Sequence, residues 1–141
     1  MLVRLWRSRR GVTALEFAMI APALSLLTFG IIEASMLFWT NAGLETAAAL
    51  TARCGATGYT WGTTACTSAS TTQSYAISAV TSLLGMTPLT TGNVTVTSAA
   101  TSCNSVSGKF FTVSISYPYL VYLPAPFNNY TLSVTACYAQ A

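Results

Sequence analysis

The sequence predicts an α+β chain: a long N-terminal transmembrane and stalk helix, one short helix, and a small antiparallel three-stranded sheet. Three observations carry that expectation. The run from Val12 to Trp39 reads VTALEFAMIAPALSLLTFGIIEASMLFW, broken only by Glu16 and Glu33. An Ala-rich stretch extends it to Arg53. Beyond Pro88, apolar residues alternate with Ser and Thr, which is the period of a half-buried strand.

The composition narrows what such a chain can do. Of 141 residues, 52% are hydrophobic and 6% charged; there is no His, and the three acidic side chains are Glu16, Glu33 and Glu45. The net charge of +3 reflects Arg4, Arg7, Arg9 and Arg10, crowded into the first ten positions, and past Arg53 the one formally charged side chain is Lys109. Nucleic-acid binding needs many Lys and Arg set against phosphates, so no nucleic-acid partner is expected. No side-chain carboxylate or imidazole follows Glu45 to serve as a general acid or base. A Ser with Lys109 is the one catalytic pair that can be drawn, and Lys109 reads better as a charge at a strand start. The expectation is a protein that is not an enzyme and takes no cofactor.

At a rise of about 1.5 Å per residue, the uncharged stretch from Phe17 to Ile32 with its flanks covers the roughly 30 Å of a bilayer core. Four Arg precede it, while Arg53 and Lys109 follow, so the positive-inside rule puts the N-terminus in the cytoplasm and the C-terminal part outside. A secretory signal peptide is the competing reading, with Ala47 to Ala49 as a cleavage site; against it, the apolar run far exceeds an h-region and Glu16 stands at its start. A carboxylate carried to the bilayer centre costs about 2.5 to 3.5 kcal/mol, so Glu16 needs a partner. An Arg of the cluster, the orphan amides of the helix start, or an α-amino group made by cutting the chain just upstream can each supply it. Pro22 removes one helical hydrogen bond and tends to kink the axis. Glu33 falls near the outer headgroups.

Arg9-Arg10-Gly11 followed by Val12-Thr13-Ala14-Leu15-Glu16-Phe17 and an apolar helix resembles the class III signal of type IV prepilins. The whole run RRGVTALEFAMIAPALSLLTFGIIEASMLFW resembles the TadE/TadG family of pseudopilins of bacterial tight-adherence (Flp) pilus systems, and the short chain is similar to TadE rather than to the larger TadG. The resemblance implies that a prepilin peptidase cuts after Gly11, that Val12 becomes the N-terminus, and that Glu16 neutralises an N-terminal ammonium, its own or a neighbour's. Such a pair about 4 Å apart gains roughly 4 kcal/mol at an effective dielectric near 20. Gly11, lacking a side chain, lets a peptidase approach an extended backbone there. The implied organisation is a leader over 1–11, a transmembrane and stalk helix over 12–53, and a periplasmic head over 54–141. The implied partners are the prepilin peptidase, other minor pilins, the major pilin and the inner-membrane assembly platform. The implied location is the bacterial inner membrane, single-pass, with the head in the periplasm and a place in the pilus left open. A permanently anchored binding or adhesin module with an uncut leader is the alternative.

A single helix from Val12 to Arg53 measures roughly 63 Å, twice the bilayer core, so its outer half must stand in water and pack against the rest of the chain. All four cysteines, Cys54, Cys66, Cys103 and Cys137, fall on the exported side, where disulfides persist. Their spacing lacks any C-x2-C, which disfavours zinc. Of three possible connectivities, we choose Cys54 with Cys66 and Cys103 with Cys137, each adding roughly 3 to 4 kcal/mol in the chain-entropy model. Ser70 with Gln73 signals a capping box before Ala76, Ile77, Val80, Leu83 and Leu84, with Gly85 as the stop. Strands are expected at Asn93 to Ser98, around Phe111 to Tyr117, and around Leu132 to Tyr138. Ser and Thr make up 29 of the 88 residues from Cys54 onward, but Val, Ile, Leu and Tyr interleave with them as solvent-facing and core-facing strand positions do. The segment Tyr117 to Phe127, YPYLVYLPAPF, reads as a cover for the sheet or its edge, or as a docking surface.

Overall fold

The computed structural model describes residues 10–58, 66–85, 89–103, 105–119 and 130–140, with side chains from Val12 onward. The elements in order are helix α1 (Arg10–Thr57), helix α2 (Ala69–Leu84), a 3-10 turn over Thr91–Asn93, and strands β1 (Val94–Cys103), β2 (Val106–Tyr119) and β3 (Tyr130–Ala139). The chain divides into two compact units, Met1–Leu37 and Phe38–Ala141, and the division falls within α1.

In the first unit, α1 runs unbroken through Pro22. Its apolar side chains point outward on every side, from Val12, Leu15 and Phe17 to Ile31 and Ile32. Thr28 and Ser35 each donate a hydroxyl hydrogen to the carbonyl four residues back, at 2.8 Å, so these hydroxyls are satisfied within the helix itself.

In the second unit, α1 changes character. Thr40, Leu44, Ala47, Ala48, Thr51 and Ala52 are buried, and their spacing of three and four places them on one stripe. The stripe is built mostly from small residues, which brings other elements close to the helix axis. Two glycines sharpen that approach: a methyl at Gly43 would overlap the Leu84 side chain, and one at Gly55 would overlap the Phe111 ring.

Helix α2 buries Thr72, Ala76 and Val80. Its cap differs from the expected one. Ser68, not Ser70, is the N-cap: its hydroxyl accepts from the Thr71 amide while the Thr71 hydroxyl accepts from the Ser68 amide. Gln73 is thereby free for a longer reach, and its side-chain amide donates to the Val94 carbonyl at 2.9 Å, joining α2 to β1. Gly85 ends the helix in the left-handed conformation at φ 60°, a backbone that other residues adopt at a cost.

The sheet is antiparallel with order β1-β2-β3. Its register sets Val94 and Val96 opposite Ile115 and Val113, and these in turn opposite Val134 and Ala136. One face therefore carries Val94, Phe111, Val113, Ile115, Leu132 and Val134 into the core. Strand β1 outruns the expected Ser98 by five residues, through irregularities between Ser98 and Ser102 where Ala99 takes φ 71°. Pro118 lies beyond Ile115, the last β2 residue paired with β1, so its missing amide costs the central strand no ladder bond to β1.

Candidate functional site

The residues singled out for processing sit at the start of α1. Gly11 and Val12 both belong to the helix, which begins at Arg10. The sequence reading placed an extended backbone at Gly11; in the uncut chain the peptide there is helical, because the apolar run propagates its backbone bonds back to Arg10. Glu16 follows Val12 by one helical turn and is exposed. Arg4, Arg7 and Arg9 lie outside the described residues, as does the greater part of the YPYLVYLPAPF segment, from Leu120 to Phe127.

From Val12 onward, α1 is long and apolar enough to cross a membrane, and none of its most apolar stretch is buried within the chain. Glu33 is half-buried. Glu45, in the second unit, accepts a hydrogen bond from the Asn41 side-chain amide at 2.9 Å.

That segment is also where the chain meets a known family. Residues 11–53 match the family model described as TadE-like protein. The N-terminal segment of this chain is TadE-like. The match begins on Gly11 and ends at Arg53, the residue before the first cysteine. No curated protein and no solved structure matches the chain.

Outside the TadE-like segment the cysteines are joined as Cys54–Cys66 and Cys103–Cys137, with Cα separations of 5.7 and 6.3 Å. The first holds the last turns of α1 to the approach of α2. The second links the two edge strands. Cys103 is opposite Val106 and Cys137 opposite Thr112, positions about 20 Å apart on a straight β2. The distal end of the β1–β2 hairpin therefore bends back toward β3, through the β1 irregularities and Gly108.

A hollow of about 240 Å³ is lined by Gly55, Cys66, Ser68, Thr72, Phe111 and Gln140 among others, none of its lining residues charged. A second, more open groove of about 200 Å³ lies between α1 and α2. Sequence reasoning overlooked the two glycines of the packed part of α1. Their signal was present: a glycine within an Ala-rich helix costs roughly 1 kcal/mol, and close approach of another element is a common reason for tolerating it.

Proposed function

We propose that this chain is a non-catalytic minor pilin, or pseudopilin, that supports assembly of a tight-adherence (Flp-type) pilus. It inserts with its N-terminus in the cytoplasm, is cut by a prepilin peptidase after Gly11, and carries its disulfide-stapled head in the periplasm. The observation that carries this reading is a TadE-like segment whose helix, before Leu37, exposes apolar side chains on every side, with the carboxylate of Glu16 one turn after the proposed new N-terminus. Such a helix has its backbone satisfied internally and offers side chains on every side to lipid or to the helices of other pilins. The ammonium of a cut Val12 would add positive charge to the positive end of the helix, and Glu16 offsets it. Since Gly11 is helical in the uncut chain, cleavage requires the first turn to fray, which glycine eases.

Mass spectrometry of the N-terminal peptide from the native membrane fraction tests the reading. A chain beginning at Val12 supports it, and Gly11→Phe should then accumulate uncut and lose pilus assembly. An intact leader in cells with active peptidase would replace it with the permanently anchored periplasmic module.

A further inference from the structure

The two edges of the sheet are finished differently. At the outer edge of β1, α2 packs alongside, the Gln73 side-chain amide takes the Val94 carbonyl at 2.9 Å, and the regular pairing fails beyond Ser98. Such features close a sheet edge to further strands. Strand β3 is regular instead. It keeps one register with β2 from Tyr130 to Ala139 and holds no proline, glycine or charged side chain.

The hydrogen bonds fix which of its backbone groups face outward. The Gln140 amide donates to the Lys109 carbonyl at 2.9 Å, and these two residues continue the register of β2 with β3. Hydrogen-bonded pairs alternate along an antiparallel ladder, so even-numbered residues of β3 turn their backbone groups to β2 and odd-numbered ones turn theirs away. The Ser114 and Thr135 hydroxyls, 2.9 Å apart, agree with this, since side chains lie closest at pairs that are not hydrogen-bonded. The amides and carbonyls of Thr131, Ser133, Thr135, Cys137 and Ala139 thus form an outward row about 27 Å long. Among the described residues, no hydrogen bond takes them.

The side chains define what fits beside that row. On the core face Leu132 and Val134 are buried, while Tyr130 and Tyr138 remain 52% and 40% exposed. On the other face Thr131, Ser133 and Thr135 are exposed. An added strand therefore needs apolar residues at alternate positions, to extend the core and cover the two rings, with small hydroxyl residues between them. A second copy of β3 meets only part of this. Paired antiparallel, it matches the faces but turns the copy end for end, which does not suit two chains anchored by α1 in one membrane. Paired parallel, it sets the hydroxyl face beside the core face.

We propose that the outward edge of β3 takes an extended, uncharged segment of another protein chain, apolar at alternate positions, as a fourth strand of the sheet. Backbone bonds supply the affinity of such an addition, and the core-face positions its selectivity. The preference over a second copy rests on reading α1 as a membrane anchor; the free edge does not.

Amide hydrogen exchange of the oxidised, detergent-solubilised full chain, followed residue by residue, tests the proposal. The probe is a peptide of alternating Thr and Val with its Val amides N-methylated, so that one edge pairs and the other cannot stack. Its counterpart is methylated on every amide. Without peptide, the Ser133 and Thr135 amides should exchange freely while those of Leu132 and Val134 are protected. The probe should slow Ser133 and Thr135 about tenfold, and the fully methylated peptide should leave them unchanged. Ser133→Pro removes an outward amide and keeps the ladder to β2, so it should weaken the probe about tenfold without shifting the unfolding midpoint. Equal protection by both peptides, or by neither, overturns strand addition. Protection of Ser133 and Thr135 without peptide overturns it as well, in favour of a cover from within the chain if it persists on dilution and of a second copy if it is lost.

Discussion

Helix α1 contains two regions that obey different rules. Before Leu37 it is apolar around its whole circumference and exposes nearly all of that surface. After Phe38 it exposes one side and buries a stripe of Thr, Ala and a single large residue, Leu44. Both regions are helical, yet for different reasons. The first buries none of its apolar surface in the chain, so its helicity rests on backbone bonds made within the segment, which is what a span through lipid requires. The second is held by packing and by the Cys54–Cys66 bond, since an amphipathic helix in water derives most of its stability from tertiary contacts. Substitutions of the same kind should therefore have opposite weight in the two regions.

The disulfides, which bear only on the second region, should dominate. Replacing Cys103 and Cys137 together by Ala is expected to cost about 4 kcal/mol, and replacing Cys54 and Cys66 about 3, because the closed loops span 34 and 12 residues. Guanidinium unfolding of the detergent-solubilised full chain reads both, and a larger loss from the shorter loop would contradict the entropic account. Leu44→Ala should lower the stability of the second unit by about 3 kcal/mol. Leu24→Ala, on the exposed stretch, should leave that transition where it is; a matching loss would abolish the distinction between the regions.

The glycines give a finer contrast. Gly55→Ala forces a methyl against the buried Phe111 ring and should cost about 2 kcal/mol net, overpacking outweighing the gain in helix propensity. Gly30 has nothing within 4 Å of an added methyl, so Gly30→Ala should not shift the same midpoint. The smallest effect runs the other way. The Thr112 hydroxyl is buried with no hydrogen-bond partner among the described residues. Thr112→Val should raise stability by about 1 kcal/mol, a rise in midpoint that the same titration resolves.

Much of this was legible from residues alone. An uncharged stretch of the right length admits few structures other than a helix fit for a membrane, and Phe111, Val113 and Ile115 alternate too cleanly for anything but a strand with one face in the core. The cap of α2 was misplaced because Ser68 and Ser70 both precede a side chain able to complete the box, and only the packing of Gln73 onto β1 decides between them. The far half of β1 was invisible: Ser98-Ala99-Ala100-Thr101-Ser102 has no apolar period, and its pairing comes from β2. At the candidate site, Glu16 stands out as a carboxylate at the head of an apolar run, and its pairing with Gly11 as a processing signal comes from the resemblance to prepilins.

The bond between Cys103 and Cys137 has a mechanical meaning. It joins β1 to β3 and encloses β2 entirely, so a pull on the two ends of the chain bypasses everything between the cysteines. The stretch it shields, a sequence separation of 34, amounts to about 115 Å of contour length that stays hidden under tension while the bond is oxidised. In the proposed role as a pilus subunit, that is the difference between a head that stretches only at its margins and one that unravels strand by strand.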